Sequence, residues 1–103
     1  MEKILLTDAE SIARFVELLA HSKAVWINPE LRNLVAIASS PSAACKLVLQ
    51  KTGSRKKAKA AHKFAQALRD YEPMLVRSSL RWLENVGENR PERLKEFIPT
   101  LLQ

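Results

Sequence analysis

Residues 54–73 read SRKKAKAAHKFAQALRDYEP, and the spacing of the apolar members decides the fold class. Ala61, Phe64, Ala65, Leu68 and Tyr71 recur at the interval that stacks side chains along one face of an α-helix. Pro73 kinks or breaks this run, because it lacks an amide hydrogen and its ring clashes with the preceding turn. Lys56, Lys59 and Lys63 fall opposite the Phe64/Leu68 side. The segment therefore predicts a helix that begins after Ser54, with one face for a core and the other for solvent.

The same reading extends in both directions. Gly53 and Gly87, the only glycines in the chain, each follow an apolar-periodic run, where a residue of positive φ can close a helix. Asn28-Pro29, Ser40-Pro41 and Arg90-Pro91 are candidate helix starts. Asn28 and Ser40 can accept hydrogen bonds from the first free amides, and Asn89 can do so for the third start, while proline supplies the preset φ of the first helical position. A first helix is expected from about Asp8 to His21, with Thr7 and Glu10 at capping-box spacing and a stripe of Ile12, Phe15, Val16 and Leu19. Two short helices should follow. Pro29 to Ser39 offers Leu31, Leu34, Val35 and Ala38, and Pro41 to Thr52 offers Ala44, Cys45, Val48 and Leu49. Beyond Pro73, Leu75, Val76, Leu80, Leu83 and Val86 keep helical spacing to Gly87, and a last helix uses Leu94, Phe97 and Ile98 before Pro99. No alternation typical of strands competes. The expectation is an all-α protein: a single-domain, compact bundle of about five to six short helices, with a longer helix kinked or broken at Pro73.

Composition fits that reading. A chain of 103 residues that is 47% apolar can bury one core. Its apolar runs fall far short of the roughly 20 residues that span a bilayer, and the N-terminus has no secretory hydrophobic region. A single cysteine, Cys45, excludes an intrachain disulfide, so a reducing cytoplasm is the expected setting and burial on an apolar stripe the expected role.

Charge is the feature that points to function. Ten of the 17 lysines and arginines lie between Lys46 and Arg81, where only Asp70 and Glu72 are acidic. That stretch carries more positive charge than the whole chain, whose net charge is +6. One basic segment between near-neutral flanks implies a local anionic partner, most often nucleic acid. Arg55, Lys56, Lys57 and Lys59 crowd the first turn and a half of the central helix, where the helix dipole is already positive. Each costs about 0.3–1 kcal/mol at low salt, and like charges at i,i+4, such as Lys59 and Lys63, add repulsion. A phosphate there would gain from the cations, the dipole and the free amides together. If the helix continues past Pro73, Arg77 and Arg81 return to the same row, giving a stripe about 27 Å long.

The candidate nucleic-acid-binding residues are therefore Arg55, Lys56, Lys57, Lys59, Lys63, Arg77 and Arg81. A helix-turn-helix around Gly53 is disfavoured, because Leu49 stands where a small residue belongs and Lys59 where an apolar one should turn inward. Aromatic platforms for single strands are few: Trp82 is expected in the core, Trp26 as a cap over the bundle, and Tyr71 is the best stacking candidate, although a buried ring with a wet hydroxyl is the commoner arrangement for tyrosine. Largely sequence-independent contact with the phosphate backbone of RNA or DNA is the expected mode. The format, small, basic and helical, is similar to that of small subunits of CRISPR effector complexes and of some ribosome-associated and phage proteins. That likeness is one of size and charge, and it implies docking on other protein subunits. The competing expectation is a protein-interaction module, an adaptor, inhibitor or oligomeric bundle, whose basic face meets an acidic protein surface.

No enzyme, cofactor, metal, small-molecule substrate or membrane partner is expected. His21 and His62 have no second ligand at i+3 or i+4, and Cys45 lacks an activating environment for pairing with His62. Asp8 with Glu10, and Glu92 with Glu96, lie near first helical turns, where the dipole explains them.

Overall fold

The computed structural model describes residues 9–87 and 93–101, and all regular structure among them is helical. The elements are α1 (Ala9–His21), α2 (Lys23–Trp26), α3 (Pro29–Ile37), α4 (Pro41–Thr52), α5 (Arg55–Asp70), α6 (Pro73–Trp82), a π-helical turn (Leu83–Gly87) and α7 (Leu94–Leu101). The fold is all-α. The expected capping box at Thr7, the acids Asp8 and Glu92, and the helix start at Asn89 to Pro91 lie outside the described residues. Contacts group the chain into two compact units, one His21–Gln66 and the other formed by the residues before and after it.

The His21–Gln66 unit holds α2, α3, α4 and most of α5, with α3 packed on both α2 and α4. Its helix ends are fixed by local chemistry. Asn28 Oδ1 accepts from the amides of Glu30 and Leu31 at 2.9 and 3.2 Å, and Ser40 Oγ accepts from the amide of Ala43 at 3.0 Å. These side chains satisfy amides that the first helical turn leaves free, with proline next in the chain in both cases. Gly53, at φ 69°, closes α4 by donating its amide to the Leu49 carbonyl at 2.7 Å. Lys51, near the end of α4, pairs with Glu30, near the start of α3, at 2.7 Å. That hydrogen bond, and the negative charge of Glu30, push the Lys51 ammonium pKa up.

The core of this unit contains Val25, Trp26, Leu31, Val35, Ala44, Val48 and Phe64. Trp26 is a core residue, 1% exposed, rather than a cap. It sits on α2, a four-residue helix too short to leave a periodic signal in the sequence. Cys45 is half-buried rather than buried, and Leu49 is exposed, so the working face of α4 is narrower than its apolar pattern.

The second unit comprises the described residues up to Ala20 and from Ala67 onward. Within it α6 packs against the π-helical turn and α7. Phe15, Leu19, Val76, Leu80, Leu83, Leu94 and Ile98 are buried. The rings of Phe15 and Tyr71 meet with centroids 4.7 Å apart and planes tilted by 56°, an arrangement that aromatic quadrupoles favour. Gly87 lies inside the π-helical turn, and among the described residues only Gly53 has positive φ. Gly87 is the last residue of that turn, and the chain that follows it lies outside the described residues. Helix α7 runs through Pro99 to Leu101 instead of stopping before the proline. A proline removes one intrahelical bond, and the burial of Leu94 and Ile98 one turn apart opposes that loss.

Candidate nucleic-acid interface

Helix α5 leaves its lysines and arginines at the surface. Ala58, Ala60, Ala61, Phe64, Ala65 and Ala67 are buried, whereas Arg55, Lys56, Lys57, Lys59 and Lys63 are exposed. Ser54 Oγ accepts from the Lys57 amide at 3.2 Å and the Ser54 carbonyl accepts from the Ala58 amide at 3.0 Å, so Ser54 caps α5. Lys56, Lys59 and Lys63 fall within an arc of about 60° and rise about 10 Å along the axis. Leu68, expected at the centre of the apolar face, is only half-buried, while Ala67 is fully enclosed. The buried arc is thus turned slightly away from the one that the larger side chains imply.

The electrostatics of this helix start are lopsided. No acid occupies the first turn of α5. Among the described residues, none of Arg55, Lys56, Lys57, Lys59 and Lys63 is in an ion pair, whereas Lys51 pairs with Glu30 and Arg14 with Glu10. The unpaired cations add their charge to the positive end of the helix dipole, an arrangement unfavourable to folding and favourable to an anion.

Arg77 and Arg81 are exposed too, but they stand on another helix. The Tyr71 amide still donates to the Ala67 carbonyl, and the Val76 amide to the Glu72 carbonyl, so α5 ends and α6 begins on either side of Tyr71 and Glu72. The chain breaks because Pro73 prefers the first helical position and restricts the residue before it. A continuous stripe along one helix from Lys59 to Arg77 is therefore not formed. On α6, Met74, Arg77, Ser78 and Arg81 line a depression of about 290 Å³. Charge alone does not select Met74, although it shares the i, i+3, i+4 and i+7 spacing that puts it on one side of the helix with the other three.

No family model matches the chain, and neither a curated protein nor a solved structure does.

Of the two readings of Tyr71 the buried ring holds, and Trp82 departs from its expected place. Tyr71 is buried against Phe15, which withdraws it from bases, and Trp82 is half-buried rather than in the core. Burial pushes the Tyr71 hydroxyl pKa up, Asp70 adds to the rise, and Arg14 opposes it. His21 is exposed and His62 half-buried. Among the described residues no three His, Cys, Asp or Glu side chains gather as a metal ion would require. No described helix is long and apolar enough to cross a membrane.

Proposed function

We propose that this protein binds nucleic acid without catalysing a reaction, holding the phosphate backbone on the exposed start of α5 with little regard to base sequence. The observation that carries the reading is the set of five exposed cations, Arg55, Lys56, Lys57, Lys59 and Lys63, with no acid in the first turn of the helix. That arrangement costs folding energy and is compensated when an anion arrives. A polymer of phosphates engages several of the cations at once, which a single small anion cannot do. Arg77 and Arg81 supply a second group of contacts. The near-neutral remainder of the chain suits docking on other subunits of a ribonucleoprotein or nucleic-acid-processing assembly, in the cytoplasm.

The test is fluorescence anisotropy of the purified chain with labelled single-stranded RNA, single-stranded DNA and duplex DNA over a salt series. Backbone binding gives a steep linear fall of log affinity with log salt, each neutralised phosphate contributing about 0.9 to the slope for duplex DNA and about 0.7 for single strands. An absence of binding at low salt would overturn the reading in favour of an acidic protein surface as the partner.

A further inference from the structure

The depression on α6 has a composition that a backbone-only binder does not need. Met74, 77% exposed, stands on the same side of the helix as Arg77, Ser78 and Arg81. Among the described residues neither arginine is in an ion pair. A guanidinium binds phosphate through two parallel hydrogen bonds and also lies flat on aromatic planes. A methionine thioether is polarisable and makes favourable contacts with aromatic rings. Cations, a hydroxyl and an adaptable apolar surface around one concavity match a group that is part anion and part flat ring.

A duplex presents phosphates on its outside and keeps the faces of its bases in the stack, so it would leave Met74 unused. A single strand can swing a base out. The volume, about 290 Å³, is at the lower end for small-ligand sites, suited to one nucleotide. A docking helix would want an apolar stripe several turns long, yet within α6 Met74 is the only large apolar side chain that stands exposed.

We propose that this side of α6 seats one unstacked nucleotide of a single strand, its base against Met74, its flanking phosphates on Arg77 and Arg81, and the Ser78 hydroxyl as a hydrogen-bonding partner. The inference rests on the nucleic-acid reading above and narrows its substrate to single strands. The experiment compares a labelled single-stranded oligonucleotide with a duplex of the same length over a salt series. It uses the wild-type chain, Met74→Ala and the double variant Arg77→Ala/Arg81→Ala. Circular dichroism checks that each variant keeps its helical signal, as the exposure of all three side chains predicts. Met74→Ala weakens single-strand binding several-fold at an unchanged salt slope and leaves duplex binding alone. The arginine variant lowers the single-strand slope by about 1.4, two phosphates' worth, and weakens single-strand binding more than duplex binding. Equal losses for both polymers, or no loss in either variant while the wild type still binds, would overturn the nucleotide seat and leave the α5 reading standing. A wild-type chain that binds neither polymer would overturn both.

Discussion

Ser79 and Tyr71 carry the sharpest consequences at the scale of single residues. The Ser79 hydroxyl is fully buried on α6 and has no hydrogen-bond partner among the described residues. An unsatisfied buried hydroxyl costs about 1–3 kcal/mol, so Ser79→Ala should leave stability in urea unfolding unchanged or raise it by up to that amount. A clear loss would mean the hydroxyl has found a partner. Tyr71 is the only tyrosine, so ultraviolet absorbance titration reports it alone. Its burial raises the pKa above the ordinary value of about 10. Between those two values the folded state holds a proton that the unfolded chain has released. The stabilisation is therefore complete below pH of about 10 and is lost as pH rises through the folded pKa. The titration midpoint should lie above that of a free tyrosine, and Tyr71→Phe should remove this part of the alkaline destabilisation. The place of this ring at the edge of the apolar face left two readings, a buried ring or a stacking platform, and Phe15, far away in sequence, decides between them.

At the scale of elements, the segment from Thr52 to Lys63 joins two opposed demands. Gly53 turns the chain in a left-handed conformation between α4 and α5, and an added Cβ would meet nothing within 4 Å. The cost of Gly53→Ala is thus backbone strain alone, about 1–2 kcal/mol, measurable by thermal or urea unfolding; a neutral effect would show that the turn can relax. On α5, the triple variant Lys56→Ala/Lys59→Ala/Lys63→Ala should keep its helical circular dichroism, melt no earlier than wild type, and lose about 2 from the single-strand salt slope. A collapse of the helical signal would make those lysines structural. The starts of α3 and α4 were legible because Asn-Pro and Ser-Pro act within one turn, and the division of α5 followed from its period. Helix α2 was not legible, since four residues complete barely one turn.

For the whole molecule, burial ranks the residues differently from apolar pattern. Phe64 is 2% exposed and Leu68 half-buried, though both lie on the expected face of α5. Phe64→Ala should cost about 3–5 kcal/mol, and Leu68→Ala less than the roughly 2 kcal/mol at which buried leucines begin; the two unfolding midpoints test this order directly. A cost for Leu68 in the full range would place it in the core. Candidate cations were legible as a group, because charge clustering is a property of composition along the chain. The separation of Arg77 and Arg81 from the α5 row, and the depression that joins them to Met74, depended on how the chain resumes after Tyr71 and Glu72. By itself the sequence determined the helical class, most helix ends and the cationic side of α5, since hydrogen-bonded caps, proline geometry and the helical period act over a few residues. Only the tertiary structure decided that Trp26 and Tyr71 are enclosed, that Leu49 and Met74 face outward, and which cations share a helix. Those outcomes depend on contacts between segments distant in the chain and on where one helix ends and the next begins.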